Sequence, residues 1–130
     1  MAYNILFYKD RKGNEPVLDY LKELNDRNDK DSRIKMNKIL DYIGTLSQYG
    51  TRAGEPYVKH LDGDIWELRP LKDRILFVGW KDSSFVLLHT FVKKTQKTPV
   101  REILKARKEF ADFVKRSERH EKENKQSSGA

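Results

Sequence analysis

The hydrophobic positions of the chain follow two periodicities, which predict where strands and helices occur. Residues 3–8 alternate apolar side chains between two faces, as a strand does. Helical spacing follows twice, in a short segment that begins at Pro16 and in a longer one over residues 32–49 that ends at Gly50. Proline is tolerated in the first turn of a helix and glycine commonly ends one. The first part of the chain is therefore predicted to be β-α-α.

Between residues 58 and 94 the apolar residues form short β-branched and aromatic runs separated by turn residues. The Asp62-Gly63 pair is a hairpin signal, and further turns are predicted at residues 70–73 and 82–84. This stretch predicts three antiparallel strands, and a third helix is expected from Thr98-Pro99, with Thr98 as its N-cap. The order β-α-α-β-β-β-α predicts a small α+β domain, with an antiparallel sheet and helices mainly on one of its faces.

The chain of 130 residues has the length of a single domain. From residue 117 onward it has no apolar residue before the final alanine, so we expect a domain over residues 1–116 and a polar, disordered tail over residues 117–130. Because there is no cysteine, disulfides and thiolate metal sites are excluded. Neither a secretory leader nor a transmembrane stretch is predicted, so the expected location is the cytoplasm.

The net charge of +7 is unevenly distributed. Residues 1–56 carry 10 Lys and Arg against 9 Asp and Glu, whereas residues 57–116 carry 14 against 8. The last 14 residues carry 3 of each sign and are neutral. A localised excess of +6 over the strand block favours a polyanionic partner, nucleic acid before membrane.

Several common catalytic and cofactor motifs are absent from the sequence. It has no glycine-rich phosphate loop, no Gly-x-Ser-x-Gly and no His-Glu-x-x-His, and its three histidines lack metal-ligand spacing. Asp62-Gly63-Asp64 is better explained as a turn than as a pair of metal ligands. Neither a metal nor a cofactor is therefore expected.

The cations at the predicted strand ends indicate phosphodiester chemistry. Arg69 and Arg74 lie on either side of a tight turn, while His89 and Lys93 are expected on one face of the last strand. Guanidiniums bind phosphate oxygens, and a lysine crowded by other cations can serve as a base. Such a group could cleave RNA without metal, because RNA supplies its own nucleophile, the 2′-hydroxyl. The residues also permit a simpler interpretation, with solvated strand ends, Glu67 paired with Arg69 or Lys93, and His89 buried with its hydrogen bonds satisfied.

Several runs of residues together resemble a known family. They are Lys59-x-Leu61, Ile65-Trp66-Glu67-Leu68-Arg69, Arg74-Ile75-Leu76-Phe77, Leu87 to Pro99, and Glu102-Ile103-x-x-Ala106. The chain resembles the HigB-like branch of the RelE/ParE toxin superfamily, which includes phage-derived relatives, over nearly all of residues 1–116. The most specific part is the run Phe91 to Pro99.

The resemblance implies a compact sheet with two N-terminal helices packed on it, and a protein that is the toxin of a type II toxin–antitoxin pair. Its implied activity is metal-independent, ribosome-dependent cleavage of mRNA, and its implied partner is a helix-turn-helix antitoxin of the HigA type in a heterotetrameric complex. The family's catalytic set corresponds to Arg69, Arg74 and Lys93. The residues implied to bind RNA are Lys59, His89, Lys94 and Lys97.

The general acid is not identified by this resemblance, because a helix follows Lys97 where some relatives carry a terminal tyrosine or histidine, and His120 lies in the predicted tail. A second function class also remains, since ParE-type members of the superfamily inhibit DNA gyrase by binding it. An inactive phage remnant is a third possibility. The presence of Arg69, Arg74 and Lys93 favours the nuclease, because a protein that only binds has no need of this cluster.

Overall fold

The computed structural model describes residues 2–128, with side chains described as far as residue 124. The strands are β1 (Asn4–Phe7), β2 (Val58–Asp62), β3 (Ile65–Leu68), β4 (Asp73–Trp80) and β5 (Ser84–Val92). The helices are α1 (Pro16–Asp26), α2 (Lys30–Tyr49) and α3 (Val100–Ser128), and a short 3₁₀ turn (Gly50–Ala53) follows α2. The predicted α+β class is confirmed.

The strands form one sheet in the order β1-β5-β4-β3-β2. Strands β2 to β5 are antiparallel neighbours, whereas β1 pairs with β5 in parallel, with Asn4 opposite Ser84. The hairpin predicted at Asp62-Gly63 joins β2 to β3, and Gly63 has the positive φ of 55° that favours glycine there. The sheet thus has one strand more than predicted, because residues 58–62 pair as a strand of their own.

The two faces of the sheet carry different helices. Helices α1 and α2 cover one face, where the core includes Leu21, Ile39 and Phe77. Helix α3 covers the other face, where Ala106 packs with Leu76, Val78 and Leu88. As predicted, the helices lie mainly on one face, which α1 and α2 cover, while α3 covers the other.

Local sequence signals explain both ends of α2. The Asp29 carboxylate accepts a hydrogen bond from the Ser32 backbone N–H at 2.9 Å, which makes Asp29 the N-cap. Gly50 ends the helix with a φ of 64°, and a Cβ at this position would come within 2.9 Å of the Tyr3 ring. Only glycine satisfies both the conformation and the close approach.

A register shift in β5 decides which side chains face α3. Phe77 of β4 lies opposite Leu87, but the preceding Leu76 lies opposite His89, so Leu88 is an extra residue in β5. This bulge breaks the strict alternation that places Phe85, Leu87 and His89 on a single face. His89 consequently lies on the α3 face, whereas Phe85 and Leu87 lie in the core beneath α1 and α2.

Helix α3 differs from its prediction at both ends. It begins at Val100 rather than at Pro99, and the hydroxyl of Thr98, the predicted N-cap, donates to Glu67. At the other end, residues 117–128 continue the helix where the sequence predicted a disordered tail. Gly129 and Ala130 of that tail lie outside the described residues. No helix within residues 2–128 is long and apolar enough to cross a membrane.

Candidate RNA-binding and cleavage site

Four of the seven predicted site residues meet at a cavity on the α3 face of the sheet. The cavity, of about 210 Å³, opens between β2, β3 and the segment that joins β5 to α3. The predicted residues that line it are Lys59, Arg69, Lys93 and Lys97. Lys59 lies opposite Glu67 in the β2–β3 pair, and the Lys93 backbone N–H donates to the Lys72 carbonyl at 2.8 Å, which fixes the chain just after β5.

A buried carboxylate lies beside these cations. Glu67 has only 2% of its surface exposed, and its Oε2 is 3.5 Å from Arg69 Nε and 3.9 Å from Arg74 Nε. Its Oε1 accepts a hydrogen bond from the Thr98 hydroxyl. Glu67 therefore pairs with Arg69, one of the two partners that the sequence left open, and it also joins β3 to the start of α3.

Arg69 is the guanidinium that the cavity exposes. Its side chain lies between the buried Glu67 and the exposed Glu55, whose Oε1 is 3.7 Å from Arg69 Nη1. Its backbone N–H donates to the Tyr57 carbonyl at 2.9 Å, so the position of the main chain is fixed as well. A phosphate that enters the cavity could displace the solvated Glu55 more easily than Glu67, because only Glu67 is held by a third group, Thr98.

Arg74 lies behind the cavity rather than in it. It is 7% exposed, and its Nη1 donates to the carbonyls of Leu71 and Asp73, both at 2.8 Å. Burial, the largest influence, lowers the pKa of Arg74, and the neighbouring Arg69 acts in the same direction. The two arginines are neighbours, as the turn predicted, and both lie beside Glu67. Arg74, however, is hydrogen-bonded into that turn, where Leu71 has a φ of 56°.

His89 cannot bind RNA in this structure, which corrects its predicted role. Only 2% of it is exposed, and its Nδ1 lies 2.5 Å from Glu109 Oε1 while its Nε2 lies 3.2 Å from Glu102 Oε1. Both carboxylates belong to α3, so the ring links β5 to that helix. The simpler interpretation of His89 as a buried, hydrogen-bonded histidine is confirmed.

Lys94 lines a separate groove beside the cavity. This groove, of about 380 Å³, lies between the end of β5 and the start of α3, and Phe91, Pro99 and Arg101 also line it. Lys94 is thus close to the other predicted residues along the chain but faces a different space. It extends the positive surface towards α3.

The structure also contains a cluster that the sequence analysis missed. The Asp112 carboxylate of α3 accepts hydrogen bonds from Tyr8 at 2.7 Å, from Arg116 at 2.7 Å and from Arg11 at 3.2 Å. The hydrogen bond from Tyr8, with help from both arginines, holds the pKa of Asp112 below its usual value, and burial raises the pKa of Tyr8. The residues of this cluster lie far apart in the sequence, and no local motif signals them.

The geometry of the cavity suits a phosphate better than a metal ion. Four cationic side chains line it, and the carboxylate beside them is already engaged by Arg69, Arg74 and Thr98. Within the part of the chain that the structure describes, no group of His, Asp and Glu side chains could hold a metal ion. The arrangement can bind one phosphate and stabilise negative charge that develops on its oxygens.

Comparison with known protein families identifies the family of this chain. Residues 19–111 match the family described as Phage derived protein Gp49-like (DUF891), and this stretch contains every residue predicted for the site. The chain belongs to this family. Gp49-like proteins are a RelE/HigB-type toxin family, so the predicted membership of the RelE-like toxin superfamily is confirmed.

The fold of this chain is similar to that of a solved structure. The crystal structure of an archaeal RelE–RelB complex from Pyrococcus horikoshii OT3 matches with a TM-score of 0.50 and 18% sequence identity. The match covers 72% of this Gp49-like chain and 98% of the other. At this identity the likeness concerns the fold alone. A search of the curated proteins found no match.

Proposed function

We propose that this Gp49-like protein is a toxin that cleaves mRNA on the ribosome, without a metal ion. The observation that carries the proposal is the cavity in which Lys59, Arg69, Lys93 and Lys97 meet. Membership of a toxin family makes a toxic activity the starting point, and RelE-like toxins are in general endoribonucleases. The cavity supports this activity because it gathers positive charge around a space open to an RNA backbone.

In the proposed reaction the 2′ oxygen of a ribose attacks the adjacent phosphorus. A bond forms between O2′ and phosphorus, the bond from phosphorus to O5′ breaks, and the products are a 2′,3′-cyclic phosphate and a 5′-hydroxyl. Arg69 donates to the non-bridging oxygens, on which negative charge accumulates in the transition state. Lys93 accepts the 2′ proton, and O5′ takes a proton from water. Arg74, which lies behind the cavity, adds positive charge near the phosphate.

The proposed partner is an antitoxin that covers the cavity. The matching archaeal RelE is in complex with RelB, which supports an antitoxin for this chain as well. We expect a helix-turn-helix protein of the HigA type that forms a heterotetramer with the toxin in the cytoplasm. Co-expression with the adjacent gene, followed by measurement of the mass of the purified complex, tests both the partner and the stoichiometry.

Induced expression without antitoxin tests the activity itself. Incorporation of labelled methionine should fall before incorporation of thymidine, and primer extension should find new 5′ ends within translated mRNA. The Arg69→Ala variant, expressed at the same level, is the control. Loss of thymidine incorporation first, with intact mRNA, would instead favour the inhibition of DNA gyrase.

A further inference from the structure

Most acidic side chains of α3 between residues 101 and 119 are engaged by hydrogen-bond partners. Glu102 and Glu109 hold the buried His89, and Asp112 holds the Tyr8 hydroxyl. At 3.6 residues per turn, Asp112 lies about 20° around the helix from Arg101, and Glu118 lies about 60° from Lys115. Asp112 is already engaged by Tyr8, Arg11 and Arg116, which leaves Glu118 as the exposed acid beside the outward face. Basic side chains therefore outnumber acidic ones on that face.

Basic side chains occupy that outward face in a line, which we call the α3 stripe. The stripe consists of five exposed residues, Arg101, Lys105, Lys108, Lys115 and Arg119. Spacings of four, three, seven and four residues keep them within roughly a quarter of the helix circumference, over a length of about 27 Å. Among the side chains described up to residue 124, these five form no ion pair. In contrast, Arg107 and Arg116, which lie off the stripe, pair with Asp62 and Asp112.

The α3 stripe begins where the candidate cleavage site ends. Arg101, its first member, lines one groove together with Lys94, and Lys97 lines the cavity together with Arg69. Glu102 also lines this groove, but its carboxylate is engaged by His89. Basic side chains therefore lead from the cavity, through residues 94–97, to the outer face of α3. A chain of phosphates that leaves the cavity in this direction would meet a cation at nearly every helical turn.

We propose that the α3 stripe binds the sugar–phosphate backbone of the RNA whose scissile phosphate lies in the cavity. This inference rests on the proposed function, which supplies RNA as the substrate. Cations in a line, without aromatic rings among them, fit a backbone that is recognised by charge and independently of its sequence. The continuity with the cavity favours RNA over an acidic protein, since the partner must also reach Arg69 and Lys93.

Two triple variants with the same change of charge test the proposal. One carries Lys105→Gln, Lys108→Gln and Lys115→Gln on the stripe, and the control carries Lys22→Gln, Lys30→Gln and Lys38→Gln on α1 and α2, across the sheet. All six lysines are exposed, and circular dichroism checks that both proteins fold. Binding to a long single-stranded RNA with a 2′-deoxy nucleotide at the cleavage position is measured over a series of salt concentrations.

The slope of log affinity against log salt should decrease in magnitude by about 2 in the stripe variant, since each lost contact with a single strand removes about 0.7. The control should keep the slope of the parent. A short RNA that spans only the cavity should bind the parent and the stripe variant equally. Equal decreases in both triple variants would mean that net charge alone acts, and would overturn the proposal.

A further arm distinguishes an RNA-binding surface from a surface that binds an acidic protein. If the stripe variant binds long RNA like the parent but loses binding to polyglutamate, the surface serves an acidic protein and the inference is wrong. If the parent cleaves no RNA but the slope still decreases only in the stripe variant, the proposed nuclease fails while the RNA-binding surface stands.

Discussion

At the scale of single residues, the candidate site depends on a carboxylate that has almost no contact with water. Glu67 faces Arg69 and Arg74, and the Thr98 hydroxyl donates to it. A buried charge is expensive to desolvate, and removing one partner of a buried pair leaves the other uncompensated. Glu67 is thus a positioning residue for Arg69, whereas Glu55, which contacts the same guanidinium, is exposed and solvated.

The two carboxylates beside Arg69 give a matched pair of substitutions. Glu67→Gln should lower the cleavage rate by about 10²-fold, because a guanidinium displaced by an ångström no longer fits the transition state. Glu55→Gln should leave the rate nearly unchanged. The measurement is the cleavage rate of a defined mRNA on ribosomes, repeated in an Arg69→Ala background. In the Arg69→Ala protein, Glu67→Gln should not lower the cleavage rate further. If the double variant instead loses the product of the two single losses, Glu67 does not act through Arg69.

The two arginines should respond differently to the same substitution. Arg69→Ala should lower cleavage by about 10²–10³-fold, the loss of one transition-state donor, with little change in the free energy of unfolding. Arg74→Ala should lower the free energy of unfolding by about 3 kcal/mol, because the buried Glu67 loses one of its two cations and two turn carbonyls lose their donor. Urea unfolding and primer extension measure the two quantities. Equal stability of both variants would contradict the structural role of Arg74.

The sequence identified the residues of the site better than their environments. Arg69 and Lys93 could be predicted to lie close together from their positions at a turn and at a strand end, whereas Lys59 and Lys97 were predicted from the family resemblance. The burial of Arg74 could not, because it depends on hydrogen bonds within a turn whose conformation includes a positive φ at Leu71. Glu67 was noticed only as a possible pairing partner, since the hydroxyl that holds it comes from residue 98.

At the scale of secondary-structure elements, α3 is attached to the sheet by polar as well as apolar contacts. Ala106 is fully buried against the sheet, and Phe110 and Phe113 pack around Trp80. His89 adds two contacts with carboxylates of the helix. Because these carboxylates are largely shielded from water, the histidine and the helix depend on each other.

Substitution of His89 should therefore loosen α3. His89→Ala leaves Glu102 and Glu109 facing a cavity, so the free energy of unfolding should fall by about 2–3 kcal/mol. Amide hydrogen exchange should become faster in α3 more than in β1 to β4. His120→Ala, at an exposed position on the same helix, serves as the control. Unchanged exchange in α3 would mean that its apolar contacts alone hold the helix.

Two features of the secondary structure give no recognisable signal in the sequence. The extra residue in β5 cannot be recognised from alternation, because Leu87 and Leu88 are both apolar and both buried. The helix beyond residue 116 has no apolar stripe, so periodicity gives no signal for it. Half of the residues 117–128 are Glu, Lys or Arg, which are good helix formers, and the turns that precede them supply the nucleus.

At the scale of the whole molecule, Asp112 connects parts of the chain that are distant in sequence. It joins Tyr8, just after β1, and Arg11, in the following loop, to α3. The folded state holds the pKa of Asp112 below its usual value, so the stabilisation is fully present above the carboxyl's ordinary pKa. It is lost as the pH falls through the lower, folded-state pKa.

The Asp112→Asn variant should therefore show a stability loss that depends on pH. Near neutral pH its free energy of unfolding should be about 1–2 kcal/mol below that of the parent. The difference should shrink as the pH falls below about 4, the ordinary range of a carboxyl pKa, because the parent then loses the same interaction. Urea unfolding from neutral to acidic pH measures it, with the exposed Asp64→Asn as control. A difference that does not change with pH would contradict the assignment.

The parallel pairing of β1 with β5 has a consequence for the order in which the protein is completed during synthesis. Asn4 lies opposite Ser84, so about 80 further residues must be synthesised after β1 before β5, its neighbour in the described sheet, exists. Closing so long a loop is slow compared with forming the β2–β3 and β4–β5 hairpins. The β2–β3 and β4–β5 hairpins are therefore expected to form in the nascent chain before β1 completes the sheet.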